Sequence, residues 1–156
     1  MVSITTVILA AGKSTRFKAT SSKLVYPLCG LPIISHVYGI AKKISGKKVV
    51  VVCNNENINE LKSILKDCVF VIQNQQRGTA DAIEQAKNKI NSKNVLVLFG
   101  DTPLITLSSI KKLIKKFLSS KVKASLIAFR TQKPFGYGRL LTKNNVLEEI
   151  IEEINL

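Results

Sequence analysis

Residues 9–23, LAAGKSTRFKATSSK, combine a bare backbone with positive charge. Small side chains at Ala10, Ala11 and Gly12 let a ligand approach the main chain, and the peptide N–H groups of such a loop can face phosphate oxygens or a base edge. Lys13, Arg16 and Lys23 add cations: the Arg fork matches phosphate oxygens, and Lys supplies a mobile point charge. A second group, FGDTP at 99–103, places the carboxylate of Asp101 after a glycine. That carboxylate can hold Mg²⁺, while Gly100 leaves room for a ribose or phosphate above it. The simpler alternative is a turn formed by Asp101 with Pro103. A cationic loop and a carboxylate are the complementary parts that phosphoryl or nucleotidyl transfer requires. The loop matches neither GxxxxGK[ST] nor GxGxxG.

Both groups follow short apolar runs rich in β-branched residues. Such runs at Thr5–Leu9, Lys48–Cys53, Val69–Ile72, Val95–Phe99 and Ala124–Phe129 predict strands. Helical spacing predicts helices over Ile33–Lys43, Asn57–Leu65, Thr79–Ile90 and Ser108–Ser119, with Ala82, Ile83 and Ala86 on one face and Thr106 or Ser108 as a cap. The segment from Gly136 predicts a strand at Tyr137–Leu141, a turn at Asn144-Asn145, and a second strand or a helix from Val146. Alternating strands and helices imply an α/β, Rossmann-like fold, a mostly parallel sheet with helices on both faces. In such sheets ligands bind beyond the carboxyl ends of the strands, where both groups lie.

At 156 residues and 46% hydrophobic composition the chain fits one domain with a sizeable core. No apolar run reaches the roughly 20 residues of a membrane span, and no basic region precedes VSITTVILAAG, which reads as a buried strand of a cytosolic protein. Cys29, Cys53 and Cys68 are scattered, with no CxxC pair, and read as reduced structural thiols. His36, the single histidine, reads as a packing or surface residue. The net charge of +14 would ordinarily suggest nucleic acid. Only Arg16, Arg77, Arg130 and Arg139 are arginines, however, and the lysines are spread over solvated faces rather than gathered with stacking aromatics, which argues against a base-reading or phosphate-tracking surface.

Several motifs recur in a fixed order: LAAGKSTRF at 9–17, Lys23, LCGLPIISHV at 28–37, QNQQRGTADAI at 73–83, FGDTPLI at 99–105 and GYGRL at 136–140. Together they resemble the sugar-phosphate nucleotidyltransferases, specifically the uridylyltransferase half of the bifunctional N-acetylglucosamine-1-phosphate uridylyltransferases. The resemblance implies that Leu9, Ala10, Ala11, Gly12 and Lys13 line the nucleotide, that Gln73, Gly78 and Thr79 recognise uracil, and that Phe99 and Gly100 lie beside it. It implies phosphate-binding, catalytic roles for Arg16 and Lys23, a Mg²⁺ ligand in Asp101, and sugar contacts from Gly138 and Glu152. The amide of Gln73 carries both a donor and an acceptor for the imide edge of uracil; Gln75 and Gln76 read as surface residues.

The implied reaction is UTP plus N-acetylglucosamine 1-phosphate giving UDP-N-acetylglucosamine and pyrophosphate, with Mg²⁺ as cofactor, in the cytoplasm and in cell-wall precursor synthesis. The expected partners are these substrates, with no nucleic acid or membrane, and an oligomer or a completing chain is open. A single domain, 1–156, is expected, with a nucleotide-binding part at 1–130 and the start of a sugar-binding part at 131–156, incomplete at the C-terminus. Ser14 and Ser22 stand where the family has glycine and proline, and Asp81 where a histidine is common; the Ser22 change is expected to loosen the loop. A nucleotide-binding remnant without turnover and a basic nucleic-acid-binding module remain as alternatives.

Overall fold

The computed structural model describes residues 2–12, 21–144 and 146–151. In chain order, β1 (Ile4–Leu9) is followed by a 3₁₀ turn (Lys23–Val25), a short hairpin of β2 (Pro27–Leu28) and β3 (Leu31–Pro32), and α1 (Ile33–Ser45). Next come β4 (Val49–Cys53), α2 (Ile58–Ile64), β5 (Val69–Ile72), α3 (Thr79–Ala86), β6 (Asn94–Phe99) and α4 (Leu107–Ser119). A second hairpin, β7 (Arg139–Lys143) and β8 (Val146–Ile151), completes the described chain. It divides into two compact units, Met1–Lys112 and Leu113–Leu156.

In the first unit four parallel strands pair in the order β5-β4-β1-β6. A sheet covered on both faces leaves its central strands no polar side, and β4, VVVVC, is buried along its whole length. One face carries Val7, Val50 and Val52, which pack with Ala82 and Ala86 of α3. On the other, the Thr6 hydroxyl bonds Ser45 at the end of α1 at 2.6 Å, and Ile8 and Ile34 of α1 both lie near Gly100. Helices therefore cover both faces. From β1 the chain builds outward through β4 to β5, then returns to the far side of β1 for β6. That reversal opens a crevice between the carboxyl ends of β1 and β6, the usual ligand position in open α/β sheets.

Most elements follow the sequence pattern, with informative differences. The β2–β3 hairpin turns on Cys29 and Gly30, both at positive φ (51° and 81°). The helix expected over Thr79–Ile90 is α-helical only to Ala86 and tightens to 3₁₀ at Lys87–Lys89. Thr106 caps α4, accepting the Ser109 N–H at 3.1 Å.

The run expected as a strand at Ala124–Phe129 forms none: Leu126, Ile127 and Phe129 are exposed in unpaired backbone. A strand needs a neighbouring edge for its N–H and C=O groups, and propensity alone does not supply one. In the second unit β7 and β8 pair antiparallel, with a register shift at Leu141/Thr142 and Asn144 at φ 50° in the turn; Asn145 is outside the described residues. The segment from Val146 is thus a strand. Phe129 and Tyr137 meet edge to face with centroids 4.9 Å apart.

Candidate functional site

A cavity of about 260 Å³ lies at the β1/β6 crevice. The end of β1 supplies Leu9, Ala10, Ala11 and Gly12; the end of β6 supplies Phe99 and Asp101. Gln73, Gln76, Gly78 and Thr79 enter from the β5–α3 connection, Ala82 from α3, and Lys23 and Leu24 from the 3₁₀ turn. Leu9 and Phe99 are register partners, so the two strand tips end at the same level.

Lys23 and Asp101 face each other across this mouth, Nζ to Oδ2 2.6 Å. Their side chains are 34% and 41% exposed, so water screens the pair and a ligand can exchange for either partner at small cost. The turn carrying Lys23 is anchored rather than loosened by Ser22. Its hydroxyl accepts the Leu24 N–H at 3.4 Å and its N–H donates to the Glu60 carboxylate at 3.3 Å, a bond proline has no N–H to make. Leu24 itself is buried. At the opposite tip the Gly100 N–H donates to the Leu9 carbonyl at 2.9 Å, and a Cβ at Gly100 would stand only 3.1 Å from that oxygen. Any side chain there would crowd the Leu9 carbonyl, so glycine suits the close approach of the two strand tips. Among the described residues no cluster of three or more His, Cys, Asp or Glu side chains could hold a metal. A single carboxylate beside room for phosphates suits Mg²⁺, which takes one or two carboxylates and completes its shell with phosphate and water.

Gln73 is buried at the floor, and both hydrogens of its Nε2 are engaged: the Asp81 carboxylate at 2.7 Å and the Gly78 carbonyl at 3.3 Å. Gly78 has φ +105°, a backbone that side-chain-bearing residues rarely adopt. The Gln73 hydrogen bond, helped by Gln85 and Arg77, holds the Asp81 carboxyl below its ordinary pKa. Asp81 is therefore an ionised acceptor at neutral pH.

Two buried asparagines fix the tip of β1. Asn57 Nδ2 donates to the Ala10 carbonyl at 2.8 Å and Asn54 Nδ2 to the Ala11 carbonyl at 3.0 Å. Their oxygens are used as well: Asn54 Oδ1 accepts the N–H groups of Glu56 and Asn57, and Asn57 Oδ1 accepts that of Asn54. A trans peptide points its N–H opposite its C=O. With both carbonyls held by the asparagines, the Ala11 and Gly12 N–H groups turn away from them. Gln76 also donates to the Ala11 carbonyl.

Of the residues singled out from sequence, Leu9, Ala10, Ala11, Gly12, Lys23, Gln73, Gly78, Thr79, Phe99 and Asp101 meet around this cavity, with Gly100 packed beneath it. Lys13, Arg16 and Glu152 lie outside the described residues. Gly138 is exposed just before β7, in the second unit. Gln76, expected at the surface, is exposed but also lines the cavity. Asn54 and Asn57 were not singled out, because their partners lie 43 and 47 residues away and no local pattern marks them. His36 has the structural role expected, bonding the Leu28 carbonyl at 2.9 Å. Burial pushes the Cys53 thiol up to about 11, consistent with an inert core thiol. Among the described residues no helix is long and apolar enough to cross a membrane.

Comparison with known proteins places these features in context. The model of the MobA-like NTP transferase domain family matches residues 6–151. The bifunctional protein GlmU of Buchnera aphidicola subsp. Schizaphis graminum is 42% identical over 153 residues, covering 96% of this chain and 32% of that protein. GlmU of Campylobacter fetus is 37% identical over 157 residues, covering 98% of this chain and 35% of that protein. The chain thus spans about a third of the length of the curated relatives it matches. Among solved structures, a Bacillus anthracis chain assigned as a glucose-1-phosphate thymidylyltransferase superposes with TM-score 0.85 at 19% identity, over 97% of this chain and 65% of that one. The bifunctional IspDF of Campylobacter jejuni superposes with TM-score 0.64 at 22% identity, over 99% of this chain and 38% of that one. The expected α/β, Rossmann-like fold is that of these neighbours.

Proposed function

The chain belongs to the MobA-like NTP transferase domain family, and from that premise we propose that it is a uridylyltransferase joining UTP to N-acetylglucosamine 1-phosphate, with release of pyrophosphate. The observation that carries the reading is the opposed pair Lys23 and Asp101 at the β1/β6 crevice, in a cavity that also holds Gln73. A triphosphate needs a cation for its oxygens and a carboxylate for its metal, and those two groups stand 2.6 Å apart at one mouth. The choice of uridine and of N-acetylglucosamine 1-phosphate is supported by the QNQQRGTADAI and GYGRL motifs and by the GlmU relatives.

In the proposed reaction an oxygen of the sugar phosphate attacks the α-phosphorus of UTP in line, a new P–O bond forms, and the bond to pyrophosphate breaks. The attacking oxygen is already anionic, so no general base is needed. The amides of Ala11 and Gly12 and the floor at Gln73 bind and orient the nucleotide; Lys23 moves from Asp101 to the phosphates and offsets charge that builds at phosphorus. Mg²⁺, held by Asp101, would supply Lewis-acid polarisation of the phosphate oxygens. Arg16 is assigned to the same phosphates, and Gly138 and Glu152 to the sugar, on the family resemblance. The reaction belongs to the cytoplasm and cell-wall precursor synthesis, with no nucleic acid or membrane as partner.

The test is pyrophosphate release by the purified chain with UTP, Mg²⁺ and a panel of sugar 1-phosphates. Turnover is expected with N-acetylglucosamine 1-phosphate, and Lys23→Ala is expected to reduce it about a hundredfold, the usual cost of removing one electrostatic stabiliser. UTP binding without pyrophosphate release in the presence of any of the sugar phosphates would instead leave a nucleotide-binding domain.

A further inference from the structure

Resting on the reading that a pyrimidine meets Gln73, we propose that Asp81 sets base selectivity by locking the orientation of the Gln73 amide. Nε2 has two hydrogens, and both are spent, on the Asp81 carboxylate at 2.7 Å and the Gly78 carbonyl at 3.3 Å. Turning the amide over would give up both hydrogen bonds and press Oε1 against two acceptors, the Asp81 carboxylate and the Gly78 carbonyl. Water from the cavity could reach the end turned towards it, but not separate Oε1 from the two acceptors at the buried end.

Asp81 is itself held. Its other oxygen accepts from Arg77 at 3.4 Å and Gln85 at 3.3 Å, and it lies in the first turn of α3, where the helix dipole favours a negative charge. Among the described residues no donor reaches Oε1 of Gln73. The end left for a ligand is therefore an acceptor. Uracil and thymine present an N–H at the middle of their imide edge, and that hydrogen suits Oε1. Cytosine in the same pose presents a ring-nitrogen lone pair, and two acceptors would face each other without water between them. Asp81 is a positioning residue here: it touches no ligand and acts through Gln73.

The experiment compares UTP and CTP affinity, both with Mg²⁺, by calorimetry on the whole chain and on its D81L and D81A variants. The unaltered chain is expected to favour UTP by about tenfold or more, the scale on which sites built around one hydrogen bond reject a ligand that leaves it unpaired. D81L removes the stronger partner of Nε2 and leaves only the longer bond to the Gly78 carbonyl; the amide then turns more readily, and the preference should fall to within about threefold, roughly half the tenfold preference in free energy. D81A, which also removes the acceptor, should move in the same direction, and it decides the matter if D81L does not fold. Both nucleotides meet the same folded fraction, so the affinity ratio does not respond to a mere loss of stability. A ratio unchanged in the variants, with the parent selective, overturns the role of Asp81 and leaves the uridylyl reading standing. A parent that does not distinguish the nucleotides overturns that reading, and this inference with it.

Discussion

Lys23 illustrates how much of this site depends on single pairings. Without ligand its ammonium neutralises Asp101 at 2.6 Å, so the carboxylate proposed for the metal already has a counter-ion. A divalent cation arriving alone must displace Lys23, whereas one arriving with a triphosphate brings the anion that Lys23 can move to. Solvated ion pairs of this kind contribute up to about 1 kcal/mol, which corresponds to about fivefold in affinity. Lys23→Met should therefore tighten Mn²⁺ binding to the nucleotide-free chain by up to about fivefold, read by electron paramagnetic resonance titration, while weakening UTP. Unchanged Mn²⁺ affinity in that variant would mean that Lys23 does not compete for Asp101. In the proposed reaction the same residue would oppose the metal before the nucleotide arrives and assist the phosphates after it.

At the scale of elements, the strand tips set the geometry. β1 and β6 approach so closely at their carboxyl ends that a methyl group on Gly100 would stand 3.1 Å from the Leu9 carbonyl. Gly100→Ala must push the tips apart, and overpacking of this kind typically costs about 1–3 kcal/mol. Its melting temperature should fall by several degrees, and UTP affinity should fall with it; a melting temperature within a degree of the parent would show that the tips part freely. Asn54→Asp tests the other side of β1. The isosteric carboxylate keeps the Oδ1 acceptor for Glu56 and Asn57, but its second oxygen faces the Ala11 carbonyl where Nδ2 had donated. Nucleotide affinity relative to the parent should be lowered at pH 8 and partly recover near pH 5, as the carboxyl, raised by burial and a facing oxygen, takes a proton and donates again. A ratio to the parent that is flat with pH would count against a positioning role for Asn54.

These elements also mark the limits of sequence reading. β4 was legible because a strand buried on both faces leaves an unbroken apolar run, VVVV at 49–52; β1, β5 and β6 were legible from short runs rich in β-branched and apolar residues, although Val69, Val95 and Phe99 are exposed. Gly100 was noticed for the room it leaves a ribose or phosphate, whereas the contact a Cβ there would make with the Leu9 carbonyl was not legible. The Ala124–Phe129 run shows that β propensity without a partner edge makes no strand. The roles of Asn54 and Asn57, and the cavity-lining role of the exposed Gln76, could not be read, because what matters is the carbonyl each reaches across 43 to 65 residues of chain.

Across the whole molecule, 24 basic against 10 acidic residues give +14. Among the described residues the excess includes solvated lysines such as Lys111, Lys112, Lys115 and Lys116 of α4. Charge so distributed acts as a field, raising the local concentration of any polyanion without selecting among them. Selection is left to the cavity at Lys23, Asp101 and Gln73. The two contributions separate by salt, because screening with a Debye length of about 10 Å at 0.1 M removes the distant lysines but not contacts within the cavity. Between about 0.05 and 0.5 M salt, UTP affinity should weaken severalfold while that of uridine, which has no phosphate, stays within about twofold. If uridine weakened as much as UTP, salt would be acting on the fold or on the base contacts, and the lysine excess would have no part in drawing the nucleotide to its site.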